Sequence, residues 1–406
     1  MRKKVILIVL LAAMLGGTIA NANSLEQNVD PLVHAYITRG NGYYEQGRYE
    51  QAIADYTKAI ELNPDYADAY CNRGVVYYVQ EQYDQAIADH TRAIELNPDG
   101  AYAYNERGNA HYVLERYDQA IADYTRAIEL NLHFASIYFY RGSAYYFQEQ
   151  YEPAIADFAK AIELNPNDAY AYNERGNAYY VQEHYGQAIA DYTRAIELNP
   201  NDARAHNGRG NAHYAQEQYG QAIADYTEAI KCNPDNASVY LFRGNAYLFQ
   251  EQCEQAIVDY TKAIELNPDA AFAYNVRGYA HIMLEQYEQA VSDFSKAIEL
   301  DPNEASAYNN RGYAYIELGQ YEPGVSDATK AIKLYPGFAA AYDTRAVAFI
   351  RLERHELAVA DLTKAIELDP NIAICYTNRA DAYEALGDTE AAAADRQRAA
   401  ELEGSL

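Results

Sequence analysis

The dipeptide Arg-Gly begins at Arg39, Arg73, Arg107, Arg141, Arg175, Arg209, Arg243, Arg277 and Arg311, and Arg-Ala continues the series at Arg345 and Arg379. Every step is 34 residues, with no insertion or deletion. A chain with this period is an array of small supersecondary units. One unit cannot bury its apolar face alone, so neighbours must stack into a continuous core. On this frame eleven units fill the chain: 33–66, 67–100, 101–134, 135–168, 169–202, 203–236, 237–270, 271–304, 305–338, 339–372 and 373–406.

The unit 169–202 shows the pattern. Tyr172, Gly176, Tyr179, Tyr185, Ala188, Tyr192, Ala195 and Pro200 stand at unit positions 4, 8, 11, 17, 20, 24, 27 and 32. Positions 4, 8 and 11 share one face of a first helix, and 20, 24 and 27 share one face of a second. Small residues at 8, 20 and 27 let the two helices approach closely. Pro at 32 pushes the residue before it out of helical geometry and ends the second helix.

Period, spacing and residue types together resemble the tetratricopeptide repeat, over all eleven units. The resemblance implies an all-α fold, a right-handed superhelical solenoid of antiparallel helix pairs, with a concave groove lined by the first helices. It also implies a non-catalytic scaffold or adaptor that binds proteins or peptides. Departures from the pattern are local. Leu132 replaces the terminal Pro of the third unit, and Gly324 replaces Ala in the ninth, where Pro323-Gly324 is expected to weaken the second helix. The last unit has Thr389 and Arg396 in place of aromatics, and its polar second helix suits an open end.

Two positions are more uniform than the family pattern requires. Position 7 is Arg in every unit and position 23 is Asp in every unit, including Asp123, Asp157, Asp191, Asp225 and Asp259. Both lie toward the core, and a charge left unpaired indoors is costly. The sequence therefore predicts an Arg–Asp ladder running through Arg107, Arg141, Arg175, Arg209 and Arg243. It leaves open whether each Arg meets the Asp of its own unit or of a neighbour.

On the other side of the first helix, positions 2, 5, 9 and 12 are expected to face the groove. Asn105, Asn173, Asn207, Asn275 and Asn309 occupy position 5, and Asn41, Asn109, Asn177, Asn211 and Asn245 occupy position 9. Position 12 carries Tyr112, Tyr146, Tyr180 and Tyr214, and position 2 adds Tyr102, Tyr170 and Phe272. An Asn side chain can donate to and accept from a peptide group, so a row of them suits an extended backbone. The expectation is a neutral groove of amides and rings; the alternative is that the amides are satisfied by water or each other and the rings only pack. The basic clamp by which some family members hold acidic carboxyl-terminal tails is absent: Asn41 and Asn72 match it, but Ile37, Tyr102 and Glu106 fill its basic slots.

The chain carries 59 acidic against 32 basic residues, a formal charge of −27. That balance disfavours nucleic acid, which needs a basic footprint, and favours neutral or basic partners over acidic ones. Arg2, Lys3 and Lys4 precede an apolar run from Val5 to Leu15, and Ala20-Asn21-Ala22 supplies a cleavage pattern. Residues 1–22 thus read as a signal peptide and 23–32 as a short leader, with export to the periplasm or medium expected; an uncleaved tether is the alternative. No other stretch approaches membrane length.

No chemistry stands out. His111, His213 and His281 replace Tyr at position 11, and His206 stands at position 4, all as aromatic core substitutions. No metal-ligand spacing, cofactor loop or acid–base pair emerges. Cys71, Cys232, Cys253 and Cys375 fall too far apart on the repeat frame to bridge, so four free thiols are expected. Besides the groove, two further readings remain: docking to a cell-envelope enzyme through convex or terminal surfaces, and self-association.

Overall fold

A computed structural model describes residues 30–404. The proposed export signal lies outside the described residues. Among these, twenty-two α-helices and no strand occur. First helices begin at unit position 1, as in Ala67–Val79, Ala101–Val113 and Ala169–Val181; second helices begin at position 17, as in Tyr83–Leu96 and Tyr185–Leu198. By internal contact the chain divides into two units, one ending at Ala212 and one starting at His213. Within each, the helices pack in sequence order, each first helix against its own second helix and against the second helix before it.

The alanines at positions 3, 10, 20 and 27 are the reason the helices can lie so close. Ala171, Ala178, Ala188 and Ala195 are wholly buried, as are most of the alanines at these positions in other repeats, though Ala35 in the first is exposed. Position 24 places a large ring between the two helices, and Gly at position 8 leaves room for it. A Cβ on Gly176 would lie 2.9 Å from the Tyr192 ring, and one on Gly244 2.6 Å from the Tyr260 ring. Where the partner shrinks to Leu362, the facing residue is Ala346.

Two features end the helices. Each first helix stops on a residue at position 15 in the left-handed region: Gly47, Gly319 and Gly387, but Glu at φ 57–60° in Glu81, Glu115, Glu149, Glu183, Glu217, Glu251, Glu285 and Glu353. The second helices stop ahead of Pro with an extended residue such as Asn63, at φ −138° and ψ 91°. The third repeat, with Leu132 instead of Pro, ends differently. Its helix Tyr117–Glu129 closes through Asn131 at φ 66°, and the Leu132 amide donates to the Ala127 carbonyl.

Pro323-Gly324 does not shorten the second helix in which it stands. Tyr321–Leu334 runs the full 14 residues of its counterparts. Pro323 stands in the first turn, where its missing N–H needs no helical partner. Gly324 is small because a Cβ there would come 2.7 Å from Ile316.

The charged ladder is present, and in ten repeats the structure answers the question of register: there each Arg pairs within its own repeat. In Arg107–Asp123, Arg141–Asp157, Arg175–Asp191 and Arg243–Asp259, Nε and Nη2 donate to the two carboxylate oxygens at 2.7–2.9 Å. The Asp side chains are buried and these Arg side chains are 16–20% exposed, whereas the first, Arg39, is 56% exposed. The third guanidinium nitrogen reaches back one repeat. Nη1 of Arg107, Arg141, Arg209 and Arg243 donates to Thr91, Thr125, Thr193 and Thr227 at 3.0–3.1 Å. Tyr at position 4 lies beneath the guanidinium, 5.6–5.8 Å away for Tyr104, Tyr138, Tyr172 and Tyr240. A rung therefore joins two repeats. Its charge is neutralised from within its own repeat and its remaining donor is satisfied from the one before.

Candidate functional site

On the first helices Ala237–Phe249, Ala271–Met283 and Ala305–Glu317 the uncovered face runs through positions 2, 6, 9 and 13, one residue out of phase with the expected 2, 5, 9 and 12, whereas Glu106, Asn109, Tyr140 and Ser143, at positions 6 and 9 of earlier repeats, are buried. At 100° per residue, positions 2, 6, 9 and 13 fall within one narrow stripe. Positions 5 and 12 turn toward neighbouring elements. Asn105, Asn173 and Asn309 are buried, and Asn207 and Asn275 are half-buried. Tyr112 is buried, and Tyr146, Tyr180 and Tyr214 are half-buried. Each of these four rings packs on Tyr at position 17 of its own repeat, with centroids 5.4–5.8 Å apart.

The asparagines of position 9 have a structural partner. The hydroxyls of Tyr56, Tyr124, Tyr192 and Tyr260 donate to Oδ1 of Asn41, Asn109, Asn177 and Asn245 at 2.7–2.9 Å. The sequence follows the same rule. His90 faces Val75, Phe158 faces Ser143 and Leu362 faces Val347, so Asn stands at 9 where Tyr stands at 24. Four of the ten amides in the predicted row are thereby committed to holding rings in the core.

Nor is the row neutral. In the helix Ala101–Val113, Nδ2 of Asn105 and of Asn109 donate to the two oxygens of Glu106, at 2.8 and 3.3 Å. In Ala169–Val181, Asn173 and Asn177 hold Glu174 in the same way, at 3.2 and 3.1 Å. Glu106 is 4% exposed. Burial pushes its carboxyl up to about 7, against the opposing pull of the Asn105, Asn109 and Tyr102 hydrogen bonds. Further along, Asp343 accepts from Asn378 at 2.9 Å, and burial raises its pKa too. The signal for this was present at position 6, where a Glu lies next to one Asn and three residues from another.

In the unit that starts at His213, the stripe is apolar. Phe242, Phe249, Phe272, Tyr279, Met283 and Tyr313 are 38–61% exposed. They lie on the consecutive first helices Ala237–Phe249, Ala271–Met283 and Ala305–Glu317. Of these, sequence reasoning singled out Phe272 alone; Phe242, Phe249 and Met283 stand at positions 6 and 13, outside the expected set, and Tyr279 and Tyr313 stand at position 9, where only the asparagines were singled out.

The remaining candidates take ordinary places. His111, His213 and His281 come within 3.8–3.9 Å of Asp123, Asp225 and Asp293 beside the ladder, and His206 meets the Pro200 carbonyl at 3.0 Å. All four cysteines are free thiols. Among the described residues, no group of three or more His, Cys, Asp or Glu converges as a metal site, and no helix is long and apolar enough to cross a membrane.

Sequence models of the repeat match almost the whole of this array. Those described as TPR repeat match residues 40–81, 142–183, 244–284 and 278–319. Those described as tetratricopeptide repeat match 67–99, 101–134, 173–237, 305–338, 339–372 and 362–394. The chain belongs to the tetratricopeptide-repeat family.

Among solved structures, this tetratricopeptide-repeat chain is similar to the APC/C hetero-tetramer Cut9–Hcn1 at 13% identity, covering 93% of this chain and 95% of that one, with a TM-score of 0.50. The C-terminal part of a TPR repeat-containing protein from Cytophaga hutchinsonii is 20% identical, over 58% of this chain and 97% of that one, with a TM-score of 0.52. Both share the fold. YrrB, a TPR protein with an unusual peptide-binding site, is 29% identical over 45% of this chain and 95% of its own, with a TM-score of 0.42. No curated protein matches the chain. Tetratricopeptide-repeat proteins are interaction scaffolds and typically carry no catalysis.

Proposed function

We propose that this protein is an exported, non-catalytic scaffold, periplasmic or secreted, which receives an extended segment of a partner protein along the open stripe of its first helices. The observation that carries this reading is the run of exposed Phe242, Phe249, Phe272, Tyr279, Met283 and Tyr313 on consecutive first helices. Clustered large apolar side chains on a soluble surface mark an interaction site, whereas scattered ones do not. Aromatic rings and Met are also the side chains that give contact area at low cost in entropy. The net charge of −27 and the carboxylates Glu106, Glu174 and Asp343 on the first helices favour a neutral or basic segment over an acidic one.

The test is affinity capture from the periplasmic or culture fraction with the chain from Asn23 onward. Two variants run beside it: Phe242→Ser with Phe272→Ser and Met283→Ser, and a control Val258→Ser on a second helix, where Val258 is 68% exposed. Partners lost from the triple variant and kept by the control support the stripe as the working surface. Partners kept by both overturn it, and recovery only from the cytosolic fraction counts against export.

A further inference from the structure

Wherever one repeat follows another, the second helix of the earlier one presents the same three residues to positions 3, 7 and 10 of the next first helix. These are Ile or Val at position 21, Thr or Ser at 25 in every join but that of Ala159, and Ile at 28. The join of the second and third repeats shows the fit. Ile94 packs into the cluster of Ala103, Ile87 packs into that of Ala110, and between them the Thr91 hydroxyl accepts from Arg107 Nη1 at 3.1 Å. The contacts run in opposite order along the two helices, so the pair is antiparallel.

The first helix of the array, Pro31–Glu45, carries the same positions as Ala35, Arg39 and Gly42, and here they are open. Ala35 is exposed, and a Cβ on Gly42 would meet nothing within 4 Å. The residues at positions 3 and 10 of every later repeat are no more than 6% exposed. Arg39 gives Nε and Nη2 to Asp55 at 2.6 and 2.7 Å, which leaves outward the nitrogen that other rungs give to the hydroxyl at 25. The other end of the array is finished differently. In the helix Thr389–Glu403 the three covering residues are Ala393, Gln397 and Ala400, and Gln397 donates to Glu401 at 3.1 Å. Both branched side chains and the hydroxyl are replaced there, as suits a terminal repeat that must stay soluble. The amino-terminal face has no such change and keeps every residue that receives a helix.

We infer that Ala35, Arg39 and Gly42 dock an amphipathic helix of a partner protein, antiparallel to Pro31–Glu45, which brings Ile, Thr and Ile at i, i+4 and i+7. The occupant follows from the interface that it continues. The small residues at 3 and 10 each admit one branched side chain, and the outward guanidinium nitrogen of Arg39 takes the hydroxyl between them. The carboxyl-terminal helix of a second copy does not supply this pattern, because it presents Ala, Gln and Ala. This end face is separate from the stripe of Phe and Met, and it stands whether or not the stripe binds an extended segment.

The experiment follows the fluorescence anisotropy of a labelled, capped peptide with the sequence of Tyr185–Leu198, which contains Ile189, Thr193 and Ile196. A side-chain lactam on its outer face holds it helical, since a peptide this short is otherwise largely unfolded. The control peptide has Ile189→Ala, Thr193→Gln and Ile196→Ala, which are the residues of the last repeat. Both are titrated with the full chain and with Ala35→Glu/Gly42→Glu, a variant confined to open positions whose folding is verified by melting curves. The expected result is roughly tenfold or tighter binding of the first peptide than of the control, lost in the variant. Equal binding of both peptides, binding that survives in the variant, or binding of neither peptide overturns the inference. Light scattering that shows a dimer of the full chain, dissociated in the variant, also overturns it and gives the face to a second copy.

Discussion

Glu183 adopts φ 60°, a conformation that costs an L-residue with a Cβ about 1–2 kcal/mol, and Glu stands in the same state in most repeats. Replacing Glu183 by Gly is expected to stabilise the chain by about 1 kcal/mol, read as a higher midpoint in urea. An unchanged or lower midpoint would show that the Glu side chain supplies compensating contacts. His90 is a second residue with a definite signature. It stands where Tyr usually does, fully buried, with neither ring nitrogen partnered, and desolvation lowers its pKa to about 3. A group that binds its proton only when unfolded makes stability fall with pH, here from about 6.5 downward, by up to about 1.4 kcal/mol per pH unit. His90→Tyr with Val75→Asn rebuilds the ring–amide pair of the other repeats. Its urea midpoint should rise and its pH profile flatten between pH 6 and 4. Glu106 has the opposite sign, since its raised pKa favours the folded state at low pH and that contribution is lost as pH rises through about 7. Glu106→Gln should therefore gain more stability at pH 8 than at pH 5. The burial of His90 was readable from the core-facing spacing of position 24, and the Asn neighbours of Glu106 from the spacing at position 6. The left-handed Glu and the depth to which Glu106 is covered were not, because Glu is an unusual occupant of such a turn and cover at position 6 depends on the neighbouring helix.

At the scale of the element, a rung of the ladder is the unit to break. Arg243→Leu strands a buried carboxylate and is expected to cost about 3–5 kcal/mol in chemical denaturation; a loss below 1 kcal/mol would mean that water replaces the pair. Arg175 offers the converse, because Ala159 stands where its Thr should be. Ala159→Thr should add about 0.5–1.5 kcal/mol for the new hydrogen bond, less a few tenths for the lower helix propensity of Thr. The helix Tyr321–Leu334 should exchange its amides no faster than Tyr185–Leu198, despite Pro323 and Gly324. The pairing of Arg with Asp was readable from the sequence, since two invariant charges on core-facing positions have few other ways to be satisfied. The Thr was not, because at position 25 it looks like any polar residue on a second helix. The groove face was misplaced for a related reason. A helical wheel orders the residues around an axis, but the next repeat decides which flank is covered, and it covers positions 5 and 12.

For the molecule as a whole, the period of 34 carried the fold class, because every repeat restates the same close-packing rule and no insertion interrupts it. It could not show how the open stripe changes along the chain, from carboxylates and amides to Phe and Met, since that is written in the positions where repeats differ. The surplus of acidic residues, 59 against 32, adds a repulsion that salt should relieve. Raising sodium chloride from about 10 mM to about 150 mM, where the screening length shortens from about 30 Å to about 8 Å, should raise Tm. A falling Tm would assign more of the stability to exposed ion pairs than to the buried ladder.

The geometry of the rung also bears on how such a chain can change length. Arg and Asp travel together inside one repeat, while the Thr that completes the rung is offered forward to whatever repeat comes next. A duplicated copy therefore arrives with its charge already neutralised and with a hydroxyl ready for its successor. A deleted copy leaves two neighbours that fit each other as they fitted the one removed. Repeat number is in this sense free to drift by unequal recombination without any rung being broken.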